Sequence, residues 1–177
     1  FASSASAQTK IYLSHENFGM GAVASAIEKI NVDGSGQTEV IAVADAPFPI
    51  GLVIHKAAGK IYWADRSNTI RRADIDGTNS ETLVAAGLST PWGIAIDTVN
   101  SKIYWSELGN DVIKRSDLDG TDVETIGGAY TDPSYIALDL TSNKIYYAEY
   151  SQNRIRRCDL DGSNQQTIIS GLNYPTG

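Results

Sequence analysis

Apolar and polar residues alternate along most of this chain with a period of two. In Pro91-Trp-Gly-Ile-Ala-Ile-Asp97, Ile94 and Ile96 fall on one face and the small Gly93 and Ala95 on the other. Leu52 with Ile54, and Ile136 with Leu138, repeat the arrangement. Such alternation predicts half-buried β-strands, because successive side chains of a strand point to opposite faces. Lys102-Ile-Tyr-Trp-Ser-Glu107 is a second β-rich run and Val112-Ile-Lys-Arg-Ser-Asp117 a third. Leu118-Asp-Gly-Thr121 then predicts a tight turn, since Asp-Gly accepts the positive φ angles that hairpins need. Glu124-Thr-Ile126 completes the set as a short fourth strand, and no segment has the length and 3.6-residue period of a core helix.

The pattern recurs. Lys-Ile-Tyr stands at Lys10, Lys60, Lys102 and Lys144, Asp-Gly at Asp33, Asp76, Asp119 and Asp161, and proline at Pro49, Pro91, Pro133 and Pro175. All three markers keep a period of about 42 residues, which suits a four-stranded antiparallel propeller blade. The expected fold class is therefore an all-β propeller with units at 10–48, 49–90, 91–132 and 133–174, after a flexible segment at 1–9. The first unit starts at its second strand and carries an insertion over 15–26, so it is expected to be irregular.

These residues resemble the YWTD, or LDL-receptor class B, repeats. The tetrad reads Tyr62-Trp-Ala-Asp65, Tyr104-Trp-Ser-Glu107 and Tyr146-Tyr-Ala-Glu149, and is most degraded at Tyr12-Leu-Ser-His15. The downstream element reads Ile70-Arg-Arg-Ala-Asp-Ile-Asp-Gly77, Ile113-Lys-Arg-Ser-Asp-Leu-Asp-Gly120 and Ile155-Arg-Arg-Cys-Asp-Leu-Asp-Gly162. NHL-type blades share the Pro-x-Gly strand but not the Tyr-Trp pair together with the Leu-Asp-Gly turn. The resemblance implies a six-bladed ring without catalytic machinery of its own, displayed outside the cell and binding protein partners on one rim. A length of 177 residues holds about four blades, whereas six need about 250 residues. The expectation is that the natural chain continues, or that other chains, copies of itself included, complete the sheet edges.

Charge and composition narrow the classes. Lys+Arg 14 against Asp+Glu 21 gives −7, which argues against a nucleic-acid binder reliant on neutralising phosphates. No apolar run approaches the roughly 20 residues of a membrane-spanning helix. A single cysteine, Cys158, excludes an internal disulfide framework and is expected to be a small buried residue. Ala5-Ser-Ala7 before Gln8 fits a signal-peptidase site, so secretion is expected and residues 1–9 read as the remnant of processing.

Catalytic, cofactor and metal assignments are all withheld. His15 and His55 lie in no metalloprotease pattern, and there is no G-x-S-x-G elbow. The Asp-Gly turns fail the EF-hand spacing: with Gly77 sixth, Arg72 would be first and Leu83 twelfth. Gly19-Met-Gly-Ala-Val-Ala24 matches a dinucleotide fingerprint but lacks the βαβ unit around it. The paired arginines Arg71-Arg72 and Arg156-Arg157 are expected to meet carboxylates rather than phosphate.

Function is expected on loops held by rigid sheets. The loop face would carry Phe48, Arg66, Trp92, Tyr130, Tyr135, Tyr150 and Tyr174, a composition typical of interface anchors. The leading expectation is a non-enzymatic module holding a protein or glycan ligand there. The alternatives are a metal-dependent hydrolase of the lactonase type using Asp97 and Asp139, and a structural assembly subunit.

Overall fold

The computed structural model describes residues 10–15, 26–42 and 44–176. The 1–9 segment, the fingerprint at 19–24 and most of the 15–26 insertion lie outside the described residues. Four antiparallel sheets follow one another along the chain. The first has three strands, β1 (Lys10–His15), β2 (Ala26–Asn31) and β3 (Thr38–Ile41). The second has four: β4 (Pro49–His55), β5 (Lys60–Asp65), β6 (Thr69–Asp74) and β7 (Glu81–Val84). The third comprises β8 (Pro91–Asp97), β9 (Lys102–Glu107), β10 (Val112–Asp117) and β11 (Glu124–Thr125). The fourth comprises β12 (Pro133–Asp139), β13 (Lys144–Glu149), β14 (Arg154–Asp159) and β15 (Gln166–Ser170). Strand order within every sheet is the sequence order, the meander of a propeller blade. Among the described residues the helical content is one 3₁₀ turn at Lys56–Ala58.

The repeated residues set the register. Lys60 pairs with Asp74 across β5 and β6, and their side chains form an ion pair. Lys102–Asp117 and Lys144–Asp159 repeat it, while Lys10 meets Asn31 in the first sheet. Each Asp-Gly turn is tied internally: Asp76 Oδ1 accepts from the Thr78 amide at 3.0 Å and its hydroxyl at 2.6 Å. The Thr78 hydroxyl and amide accordingly hold the Asp76 carboxyl below its usual range. The turn glycine is needed twice over. Gly77 sits at φ +92, and a Cβ there would lie 1.8 Å from the Val40 carbonyl oxygen of the preceding sheet.

The core lies between the sheets. Ile27 and Ile41 of the first pack with Ile61 and Trp63 of the second. Tyr62, Ile70 and Val84 pack with Ile94, Ile103 and Trp105 of the third. Tyr104, Ile113 and Ile126 pack with Ile145, Tyr147 and the fully buried Cys158 of the fourth. Neighbouring inner strands touch, β4 on β8 and β8 on β12. The arc does not close. At one end Ile11 and Leu13 are 43% and 42% exposed, although their counterparts Ile61 and Trp63 are wholly buried. The first repeat differs from the others as its degraded tetrad suggested: among the described residues it has three strands, and Ile11 and Leu13 on its leading side are exposed.

Candidate interaction face

The acid that closes each tetrad is buried and fully employed. Glu107 is wholly buried, and its Oε1 accepts from Trp105 Nε1 and from Lys114 Nζ, both at 3.0 Å. Its Oε2 accepts from the Ser89 amide at 3.0 Å and Asn110 Nδ2 at 2.7 Å. Glu149 likewise pairs with Arg154 and Arg156 and accepts from the Thr131 amide at 3.2 Å. Each carboxylate therefore fastens its own strands to the loop that arrives from the preceding sheet. Asp65 is one methylene shorter. It holds the Phe48 amide and Ser67, but the indole N–H of Trp63 finds no acceptor among the described residues, and Arg71 turns to Asp45 at 3.3 Å.

Two arginines, Arg72 and Arg115, fasten sheets to one another. Arg72 binds Glu81 on its own sheet and donates Nη1 to the Leu118 carbonyl of the next at 2.8 Å. Arg115 does the same with Glu124 and the Leu160 carbonyl. Both lie over tyrosine rings, Tyr62 and Tyr104, at 5.9 Å. The carboxylates of the hydrolase alternative are also engaged. Buried Asp97 caps its turn through the Val99 and Asn100 amides, and Asp139 accepts from the Thr141 and Ser142 amides. Among the described residues no three His, Cys, Asp or Glu side chains cluster as metal ligands.

The loops opposite those turns are pinned by a device absent from the sequence reading. Asn68 Oδ1 accepts from the Thr90 amide at 2.8 Å, Asp111 from Asp132 at 2.7 Å and Asn153 from Tyr174 at 2.9 Å. All six residues have positive φ, between 45° and 65°. Asn and Asp tolerate that conformation, and their recurrence at a period near 42 was the available signal. These cross-links hold the aromatic loop residues in place.

On this frame Arg66 lies over the Trp92 ring at 5.7 Å, and Trp92 meets Tyr135 edge to face at 6.4 Å. Three consecutive sheets thus contribute to one cluster. Phe48 is 48% exposed beside it in the chain direction, its carbonyl accepting from the Arg66 amide. Tyr150 and Tyr174 form a second exposed pair, with ring centroids 5.0 Å apart. Tyr130 corrects the sequence expectation: it is 6% exposed, packs on Tyr147 at 5.2 Å and donates its hydroxyl to the Gly127 carbonyl. Burial pushes its phenol well above the ordinary value, so it is a core residue rather than part of a rim. Its offset explains the difference. Phe48 and Tyr174 directly precede a proline, whereas Tyr130 stands three before Pro133, as buried Ala46 and packed Leu88 stand before theirs.

Residues 59–98 match the family model of the low-density lipoprotein receptor repeat class B, so the resemblance read from the tetrads holds there. No curated protein matches the sequence. Among solved structures, one of a nidogen/laminin complex is 24% identical, with 86% of this chain covering 59% of that one at a TM-score of 0.77. A virginiamycin B lyase from Staphylococcus aureus is 24% identical, with 97% covering 56% at 0.72. A streptogramin B lyase is 22% identical, with 86% covering 51% at 0.67. At these identities the likeness is one of fold, and the chain spans little more than half the length of those structures.

Proposed function

We propose that this chain is a non-enzymatic, extracellular interaction module that holds a protein partner on its loop face. The observation that carries the reading is the Arg66–Trp92–Tyr135 cluster. It is assembled from three sheets, yet it belongs to none of the staples that the repeat builds for itself. Rigid aromatics with an adjacent guanidinium give much contact area at little conformational cost, which is how interface anchors work. Association with the fold of a protein solved with laminin agrees with a protein ligand and a secreted setting. The enzyme alternative weakens because Asp97 and Asp139 are spent on turns.

The test uses immobilised laminin and a sulfated glycan as two probes, with the Trp92→Ala/Tyr135→Ala double variant beside the parent chain. Binding to laminin that falls at least tenfold in a variant with unchanged circular dichroism supports the reading. Full binding by that folded variant sinks the proposed face, and binding to the glycan alone replaces a protein ligand with a carbohydrate one.

A further inference from the structure

Two positions meet at the loop face of the last three repeats: the residue after the tetrad and the residue before the next proline. They are Arg66 with Thr90, Leu108 with Asp132, and Tyr150 with Tyr174. The hydrogen bond that closes this corner is the same each time, from the pre-proline amide to Asn68, Asp111 or Asn153. The fold therefore makes no demand for phenols here, and the last of the three corners supplies two.

Asn153 stands between the two tyrosines. Its amide donates to the Tyr150 carbonyl at 3.4 Å, and its Oδ1 accepts from the Tyr174 amide at 2.9 Å. The Tyr150 amide in turn donates to the Asp132 carbonyl at 3.1 Å. Tyr174 is a bulky residue at φ +47, a conformation that its amide bond to Asn153 holds in place. The rings are thus kept with centroids 5.0 Å apart and planes tilted by 36°, at 40% and 55% exposure. A second tyrosine pair gives the contrast. Tyr130 and Tyr147 are almost as close, at 5.2 Å, but meet at 70° and are 6% and 1% exposed. The exposure belongs to the position: Phe48, which also precedes a proline, stays exposed between two packed sheets.

We propose that Tyr150 and Tyr174 form an oxidative cross-linking site, which hydrogen peroxide acting through a haem peroxidase converts to dityrosine. Each phenol gives up one electron and one proton, and the peroxide takes up two electrons and two protons to become two waters. The two phenoxyl radicals couple through one ortho carbon each, where much of the unpaired spin resides. Each displaced ortho hydrogen moves to its own ring oxygen, which restores both aromatic rings and both phenols. A small tilt lets two ortho carbons approach, whereas an edge-to-face pair aims the edge of one ring at the face of the other. Holding the rings together also replaces an encounter between molecules with one inside a single chain. The new bond closes a loop around the β14–β15 hairpin and restricts the unfolded state of that segment. The site lies apart from the Arg66–Trp92–Tyr135 cluster and does not rest on what that cluster binds.

The test treats the full natural chain with a haem peroxidase and limiting hydrogen peroxide, then maps the cross-linked peptides by mass spectrometry. The expected product is a monomer that has lost two hydrogens, shows dityrosine fluorescence and joins Tyr150 to Tyr174. That link is expected to exceed any Tyr130–Tyr147 link by roughly tenfold or more. Tyr150→Phe and Tyr174→Phe, each with unchanged circular dichroism, are expected to remove it. Links mainly between chains, links of either tyrosine to a different residue, or treatment that yields no dityrosine overturns the proposal. An undiminished yield in either variant overturns it as well.

Discussion

Trp105 and Leu13 occupy the same repeat position, the second residue of the tetrad, in strands of the same length. Trp105 is wholly buried between the second and third sheets, while Leu13 is 42% exposed at the open end of the first. The strand alone does not decide which side chain becomes core. The neighbouring sheet does, because a blade's apolar face has no value until another face covers it. The same contrast separates Val84 from Ile169 at the other end of the arc.

The sharpest way to break that comparison is truncation at both positions. Trp105→Ala is expected to cost about 4 kcal/mol in chemical denaturation, the range for a large buried aromatic. Leu13→Ala is expected to cost under about 1 kcal/mol, and equal losses would show that the leading face is covered in solution. Buried against exposed ion pairs come next. Glu107→Ala strands Lys114 and the Trp105 indole and is expected to cost about 3 kcal/mol. Glu124→Ala, which removes the exposed partner of Arg115, is expected to cost at most about 0.5 kcal/mol. A third test probes the close approach along the axis. Gly93→Ala pushes a methyl group onto the Ser134 backbone and is expected to cost about 2 kcal/mol, measured as a lower denaturation midpoint.

The last test is in pH. Burial raises the Cys158 thiol from its ordinary 9.0 to about 11. The folded state then keeps a proton that the unfolded state releases, so this contribution is complete below about pH 9 and is lost as pH rises towards about 11. Thiol titration should find Cys158 unreactive at neutral pH, with reactivity and loss of stability appearing together in that alkaline window. Reaction at pH 7 in the folded chain would contradict the burial.

Strands, turns and the repeat were legible because each rests on local chemistry: alternation for the faces, Asp-Gly for the turns, Lys opposite Asp for the register. Three of the four paired arginines also met carboxylates as expected, at Asp45, Glu81 and Glu149, while Arg157 met the amide of Gln166. What stayed hidden depends on distance through space. Glu107 and Asp65 looked equivalent by charge, yet one methylene decides whether the adjacent indole is satisfied. Tyr130 looked like a rim aromatic by composition, and its offset from Pro133 was the overlooked signal. The recurrence of Asn68, Asp111 and Asn153 was visible, but their partners lie 21 or 22 residues away and only the fold brings them together.

The arginine donors that cross from one sheet to the next have a consequence for how the arc comes apart. Each couples a sheet to its immediate neighbour, so cooperativity passes along the chain link by link, like a zipper with a defined direction. Packing covers the second and third sheets on both sides and the first and fourth on one, while the arginine donors join the second sheet to the third and the third to the fourth. Amide protons in β5 and β9 should therefore exchange last and those in β1 and β15 first, and losing Arg115 should make the fourth sheet open on its own while the second and third stay joined.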